Sequence, residues 1–204
     1  VASALLAVHA SGYAHNDVKP GNLMRTRSGS VKLGDFGSAT RLPGSPASCA
    51  APPAAAHGTP AFMSPEACSG RGGTEASDVW SLTATLSALV FGRLPFACDG
   101  GEGALAERIM YGSPRYDDGD DDEWGDRDHD DWGDREESRD GAPDRGGRGG
   151  GLRDAHERAN LLHLLGWGLS KLPAARPSLE QFLAHPWAAA GRARSETPRA
   201  EMQT

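Results

Sequence analysis

The chain has 204 residues, of which 38% are hydrophobic, and it carries a formal net charge of −7. This length is enough for one compact domain with its own core, and no run of eighteen apolar residues is present, which excludes a membrane-spanning helix. The three cysteines, Cys49, Cys68 and Cys98, are widely spaced, which argues against a disulfide framework and a zinc site and predicts a cytoplasmic location, with the nucleus as the alternative.

The first part of the chain predicts a helix, a hairpin and a long loop. Apolar residues along one side of residues 1–11 predict a helix that ends before Gly12. Two short apolar runs, at 22–24 and 31–33, are separated by turn residues and predict a β-hairpin. Residues 38–58 are rich in Pro, Ala, Ser and Gly, so we expect a surface loop without regular structure.

The second part predicts helices interrupted by a charged insertion. Apolar periodicity predicts helices at 76–91, 105–110, 155–172 and 178–183, the first of them buried and capped by Ser77 or Asp78. Residues 117–150 hold fifteen acidic and five basic residues, which leaves a net charge of +3 for the rest of the chain. Such a composition predicts a disordered insertion. A polar, flexible tail is expected at 191–204, which leaves residues 1–190 as the domain.

Polar residues with complementary chemistry lie close together in the loop 15–22. Asp17 can accept the proton of an attacking hydroxyl, Lys19 can neutralise a phosphoryl group, and the side-chain oxygen of Asn22 can hold a hard metal ion. The alternative for these eight residues taken alone is a polar turn with capping side chains.

A second candidate metal ligand follows the hairpin. Asp35 begins an Asp-Phe-Gly turn directly after the strand at 31–33, and a carboxylate at a strand end can bind Mg²⁺. Because a single hairpin separates Asp35 from Asn22, we expect both side chains to reach the same metal ion.

Two further segments complete a recognisable series. Residues 58–66 read G-T-P-A-F-M-S-P-E, and residues 78–82 read D-V-W-S-L. Together with H-x-D-x-K-P-x-N and D-F-G, in this order, they resemble the large lobe of eukaryotic serine/threonine protein kinases. The resemblance covers the chain apart from the insertion and the tail. Residues 58–66 and 91–96 are most similar to calcium/calmodulin-dependent protein kinase kinases and related activating kinases.

The resemblance implies a mainly α fold, namely the large C-terminal lobe of a protein kinase with a small β-hairpin and the N-terminal lobe absent. It implies that Asp17 is the catalytic base, that Lys19 contacts the γ-phosphate, and that Thr59 supports both. Asn22 and Asp35 would bind Mg²⁺. Structural roles are implied for Glu66 and Arg176 as a buried ion pair, Asp78 as a support of the loop backbone, and His15 and Phe36 as a packed column.

Two residues depart from the family pattern. Asn16 stands where most active members carry an Arg that pairs with a phosphorylated loop, and an uncharged amide cannot form that pair. We therefore expect phosphorylation at Ser45 or Ser48 not to be the activating event; the alternative is that Asn16 marks loss of activity. Thr83 replaces a common Gly and is interpreted as a tolerated packing change.

The chain starts at Val1 rather than Met, and no Gly-rich loop or strand Lys of the kind that covers ATP phosphates precedes it. We therefore expect a fragment of a longer polypeptide that, alone, binds ATP poorly and does not phosphorylate substrates. The cofactors expected for the complete protein are ATP and Mg²⁺, and its partner is a protein with a Ser or Thr acceptor. No nucleic acid or membrane partner is expected, and calmodulin remains an alternative without a supporting basic helix.

A calcium loop is the alternative interpretation of the acidic insertion. The spacing matches at Asp126, Asp128, Asp130, Asp134 and Glu137, but Asp131 stands where the loop needs Gly. A solvated loop that attracts basic partners is favoured. For the whole chain, the alternative to a kinase is a pseudokinase or truncated lobe that serves only as an interaction module.

Overall fold

The computed structural model describes residues 1–42, 58–116 and 155–196. Within these ranges the fold is mainly helical, as predicted, and it contains two small antiparallel sheets, of which one was predicted. The helices are α1 (Ala2–Ala10), α2 (Pro65–Cys68), α3 (Glu75–Phe91), α4 (Gly101–Tyr111), α5 (Ala155–Gly168), α6 (Leu179–Ala184) and α7 (Pro186–Glu196). The strands are β1 (Tyr13–Ala14), β2 (Leu23–Arg25), β3 (Val31–Leu33) and β4 (Thr40–Arg41). The predictions for 117–150, for Ser45 and Ser48, and for 197–204 fall outside the described residues.

The predicted hairpin is confirmed, and a second strand pair accompanies it. β2 pairs with β3 in the register Leu23↔Leu33. β1 pairs with β4, with Ala14 opposite Thr40, so the prediction of no regular structure across 38–58 is wrong at its start. A two-residue ladder has no local sequence signal, because it depends on a partner more than twenty residues away.

Helix α3 lies at the centre of the fold. Ten of its residues are buried, including Trp80, which is fully inaccessible to solvent. Its N-cap is Thr74, whose side chain accepts a hydrogen bond from the N–H of Ser77. The prediction of Ser77 or Asp78 as the cap is therefore wrong, since both already lie within the helix and their side chains bond to other parts of the molecule.

Two clusters of buried side chains pack on opposite parts of α3. One joins α3 to α1, α5 and α6 through residues such as Leu5, Val79 and Leu164. The other joins it to α4 and to the turn after residue 58, through residues such as Phe96 and Ile109. This arrangement makes α3 the common support for the polar loops described below.

The C-terminal helices differ from prediction at their ends. α5 ends at Gly168 rather than 172. α6 begins after Ser178, which forms a reciprocal capping box with Gln181. α7 continues to Glu196 and so crosses the boundary expected at residue 190. Among the described residues, none of the helices combines the length and the apolar composition that crossing a bilayer would need.

Candidate active site

The backbone of the loop 15–22 is held from inside the molecule by Asp78. The Asp78 carboxylate accepts hydrogen bonds from the backbone N–H groups of His15, at 2.7 Å, and Asn16, at 2.8 Å. The imidazole of His9 on α1 contacts the same carboxylate at 2.7 Å. The predicted hold of Asp78 on the loop is confirmed. The contribution of His9 was not predicted, because a histidine in the last turn of an apolar helix carries no signal of its partner.

His15 connects this loop to the β2–β3 hairpin. Its Nδ1 accepts from the N–H of Asp17 at 3.3 Å, so the neutral ring carries its proton on Nε2, which donates to the carbonyl of Gly34 at 3.0 Å. Phe36 meets the imidazole edge-on, with ring centroids 5.0 Å apart. His15 is buried, but Phe36 is 53% exposed, because its turn lies at the surface of the described residues. The predicted packed column is therefore buried only at His15.

Four donor groups surround the carboxylate of Asp17, a residue that is only 7% exposed. Oδ1 accepts from the backbone N–H and the hydroxyl of Thr59, each at 2.9 Å. Oδ2 accepts from Nζ of Lys19 at 2.9 Å and from Nδ2 of Asn22 at 3.0 Å. Lys19 also donates to the Thr59 hydroxyl at 2.7 Å. Four of the five predicted site residues thus form one hydrogen-bonded network.

Opposing effects set the pKa of Asp17. Burial of the carboxylate raises the pKa, but hydrogen bonds from Lys19, Thr59 and Asn22 outweigh burial and bring it below the ordinary value of 3.8. The group is therefore an anion at neutral pH with both oxygens occupied. A carboxylate in this state can accept a proton from an incoming hydroxyl only after one of its donors has moved.

Lys19 is the donor best able to move. Its side chain is 26% exposed and carries the ammonium on a flexible stem, whereas the Thr59 and Asn22 donors sit on short side chains or on the backbone. An anion placed near Lys19 would compete for the ammonium and leave Oδ2 of Asp17 with a free acceptor position.

Asn22 and Asp35 present oxygen atoms beside this network. Nδ2 of Asn22 donates to the carbonyl of Asp17 at 2.7 Å as well as to its carboxylate, so the amide is oriented with Oδ1 on the opposite branch. The N–H of Gly34 donates to the carbonyl of Asn22 at 2.9 Å, which brings the next residue, Asp35, close to Asn22 along the backbone. The Asp35 carboxylate is exposed and accepts from the N–H of Gly37 at 3.1 Å.

This donor set fits a magnesium ion. One amide oxygen and one carboxylate are hard ligands, and Mg²⁺ ordinarily completes its shell with waters and phosphate oxygens. Within the three described ranges, no cluster of three or more His, Cys, Asp and Glu side chains suited to a metal occurs. Asn22 belongs to the network around Asp17, whereas the hydrogen bond of the Asp35 carboxylate goes to the N–H of Gly37.

The segment that delivers Thr59 depends on a close backbone contact. A Cβ on Gly58 would lie 2.6 Å from the carbonyl oxygen of Asn16, so only glycine lets the two backbones approach. On the other side, the hydroxyl of Ser81 on α3 donates to the carbonyl of Phe62 at 2.8 Å. These contacts fix the position of Thr59 against Asp17.

A buried ion pair anchors the chain that follows. Arg176 and Glu66 form a two-point contact, with N–O distances of 2.6 and 2.8 Å. The Arg176 side chain is fully buried and the Glu66 side chain is 12% exposed. Burial raises the pKa of Glu66, but the hydrogen bonds and charge of Arg176 bring it below its ordinary value. The predicted pair is confirmed.

Comparison with protein families agrees with this geometry. The family model described as "Protein kinase domain" matches residues 1–188. The chain is therefore matched over most of its length, including every residue of the network around Asp17.

Comparison with individual proteins gives partial matches. The chain is 41% identical over 92 residues to "Cytokinesis protein sepH" of Aspergillus niger, a match that covers 45% of the chain and 6% of that protein. It is 39% identical over 111 residues to "Serine/threonine-protein kinase TOS3" of Saccharomyces cerevisiae, covering 50% of the chain and 20% of the relative. It is 40% identical over 97 residues to "Serine/threonine-protein kinase PknA" of Mycobacterium tuberculosis, a match that covers 48% of the chain and 22% of that protein. The chain thus spans less than a quarter of the length of each of these relatives.

Proposed function

The chain belongs to the protein kinase family, and on this basis we propose that it transfers the γ-phosphoryl group of Mg²⁺-bound ATP to serine and threonine hydroxyls of proteins. The observation that carries the proposal is the meeting of Asp17 with Lys19, Asn22 and Thr59, since Thr59 comes from a segment 42 residues further along the chain. Specificity for serine and threonine is supported by the Lys19–Thr59 contact and by the names of two relatives.

Each residue of the network has one role in this proposal. Asp17 orients the acceptor hydroxyl and takes its proton as the phosphoryl group is transferred. Thr59 holds Asp17 and Lys19 in place. Asn22 and Asp35 hold Mg²⁺, which when bound neutralises charge on the phosphates.

Lys19 couples nucleotide binding to the availability of the base. In the structure, Nζ of Lys19 donates to Oδ2 of Asp17. When the γ-phosphoryl group draws the ammonium away, Oδ2 becomes free to accept the hydroxyl proton. The base is therefore available only when a phosphoryl group is present to receive the attack.

The proposal extends to architecture and setting. Residues 1–188 form the large lobe of the kinase domain, a view supported by the mainly helical fold around α3. The segments 58–66 and 91–96 support a closer relation to calcium/calmodulin-dependent protein kinase kinases. A cytoplasmic or nuclear location is supported by the free thiols of Cys68 and Cys98.

Substitution of Asp17 tests the proposal. With the full-length gene product, we expect Asp17→Asn to lower the rate of γ-phosphoryl transfer to serine and threonine peptides by about 10²–10⁴-fold, because the base is lost while its size is kept. Transfer of label from ATP measures the rate. Asp99→Asn, at an exposed carboxylate between α3 and α4, is the matched control and should leave the rate unchanged.

Two results would contradict the proposal. Equal rates for the wild-type protein and Asp17→Asn would remove Asp17 from the reaction, and a preference for tyrosine peptides would reject the substrate class. Absence of transfer by the wild-type protein would favour the alternative of a non-catalytic interaction module.

A further inference from the structure

Asn16 lies between the loop 15–22 and both described ends of the segment 38–58. Its backbone adopts φ 66°, in the left-handed region that asparagine tolerates better than most residues. Its N–H is held by Asp78 at 2.8 Å. The side chain is thereby directed from a fixed backbone position, which suits a residue that has to make contacts of defined geometry.

The side-chain NH₂ group of Asn16 donates two hydrogen bonds to residues at the start of this segment. Nδ2 donates to the carbonyl of Ser38 at 2.9 Å and to the hydroxyl oxygen of Thr40 at 2.8 Å. The Ser38 carbonyl can only accept a hydrogen bond, so it must face the NH₂ group of Asn16 rather than Oδ1. This contact fixes the orientation of the amide. Oδ1 of Asn16 is buried and has no hydrogen-bond partner among the residues that the structure describes, a cost that the two donated bonds offset.

These bonds fix the strand pair that starts the segment. Thr40 lies opposite Ala14 in the β1–β4 ladder, and the N–H of Leu42 donates to the carbonyl of Gly12 at 2.9 Å. The Asn16 amide therefore reinforces a ladder that is only two residues long and would be weak by itself.

The backbone of Asn16 receives the other end of the segment. Gly58 packs so closely on the carbonyl of Asn16 that a Cβ would lie 2.6 Å from that oxygen. The next residue, Thr59, donates both its N–H and its hydroxyl to Asp17. A displacement of Asn16 would therefore change the hydrogen bonds that hold the candidate base.

We propose that Asn16 is a positioning residue, an uncharged tether that holds both ends of the segment 38–58 on the loop 15–22 and so keeps Thr59 on Asp17 without a phosphate. The inference rests on the proposed function for its purpose, but the contacts themselves do not depend on phosphoryl transfer. The amide is satisfied by a neutral carbonyl and a hydroxyl, so the tether needs no anion, whereas a cationic residue at this position would need one.

Amide hydrogen exchange followed by NMR on the whole chain tests the tether. We expect Asn16→Ala to speed exchange at the amides of Leu42 and Thr59 by about tenfold or more, relative to the buried amide of Trp80. Asn16→Asp keeps the size of the side chain but places a carboxylate, which cannot donate, against the Ser38 carbonyl. The same acceleration of exchange at Leu42 and Thr59 is therefore expected. Asn160→Ala, at a half-buried asparagine on α5, is the control and should leave both amides unchanged.

A phosphomimetic variant separates this tether from a phosphate-dependent one. Ser45→Glu combined with Ser48→Glu should leave exchange at Thr59 unchanged in the otherwise wild-type chain. In the wild-type chain, the NH₂ signals of the Asn16 side chain should exchange slowly, and they are lost in both Asn16 variants.

Three outcomes would overturn the inference. The first is unchanged exchange at Leu42 and Thr59 in both Asn16 variants. The second is an acceleration at Trp80 equal to that at Leu42 and Thr59, which would indicate only general destabilisation. The third is a tenfold slowing of exchange at Thr59 in the phosphomimetic variant. Because exchange does not require catalysis, a protein that keeps the tether but transfers no phosphate would refute the proposed function alone.

Discussion

His163 and His185 share one hydrogen bond, between Nδ1 of His163 and Nε2 of His185, at 3.0 Å. The N–H of Trp187 donates to Nδ1 of His185 at 3.3 Å, so neutral His185 carries its proton on Nε2 and donates to His163. A second proton on His185 would have to sit on Nδ1, which already faces the N–H of Trp187. Nδ1 of His163 likewise already faces the Nε2–H of His185. Burial, and then the neighbouring imidazole of His163, lower the pKa of His185.

This arrangement predicts a pH-dependent stability. As the pH falls below the ordinary value of 6.5, the unfolded chain takes up a proton at His185 before the folded chain does, so stability present above that pH is lost below it. We expect His185→Gln to reduce the loss between pH 7 and pH 5, as measured by urea unfolding. His156→Gln, at an exposed histidine on α5, should keep the wild-type dependence, and an unchanged slope in His185→Gln would contradict the argument.

At the scale of elements, α3 and α5 approach each other through a matched pair of residues. Thr83 is fully buried, and its hydroxyl donates to the carbonyl of Val79 at 2.7 Å. Facing it is Gly168, where a Cβ would overlap the Thr83 hydroxyl oxygen. The larger residue on α3, interpreted from sequence as a tolerated change, is thus accommodated by the absence of a side chain on α5.

This pairing predicts a destabilising substitution and its rescue. Gly168→Ala should lower the free energy of unfolding by about 1–3 kcal/mol, because the added methyl overpacks the contact. The double variant Thr83→Ala, Gly168→Ala should recover most of the loss in chemical denaturation. A methyl group added at Gly166 on the same helix meets nothing within 4 Å in the described part of the chain, so Gly166→Ala should be neutral or stabilising by up to about 1 kcal/mol. Similar losses in both glycine variants would contradict the packing argument.

At the scale of the whole molecule, Arg176 joins parts of the chain that are 110 residues apart. Besides Glu66, it donates to the carbonyls of Ala76 at 2.8 Å and Ser170 at 2.9 Å, and its guanidinium lies 5.0 Å from the centre of the Trp80 ring. It therefore connects α2, the start of α3 and the turn before α6 in one buried arrangement.

Removing one partner of this pair should be costly. Arg176→Met should lower the free energy of unfolding by about 3–5 kcal/mol, because Glu66 is left largely buried without its counter-charge. The double variant Arg176→Met, Glu66→Gln should lose less, which a double-mutant cycle in urea would measure. Since folding lowers the pKa of Glu66, the stability that the pair contributes is fully present above pH 4.5. It is lost as the pH falls through the pKa that Glu66 has in the folded protein. A double variant no more stable than Arg176→Met would contradict this account.

Local pattern was sufficient for several elements whose interacting residues are neighbours in sequence, although it did not identify Thr74 as the N-cap of α3. The β2–β3 hairpin and the helices α3 and α6 follow from apolar periodicity and turn residues. The catalytic roles of Asp17, Lys19, Asn22, Asp35 and Thr59 remain predictions, although the first three could be selected as one group because a single short loop carries them.

The sequence by itself determined the main elements and the chemical types available to the site, because period and spacing are local properties of a chain. Only the tertiary structure decided that His9 bonds to Asp78, that β4 pairs with β1 and that the amide of Asn16 reaches Ser38 and Thr40. A buried polar group must find a partner, but which partner it finds depends on the segments that packing of the apolar core brings alongside it.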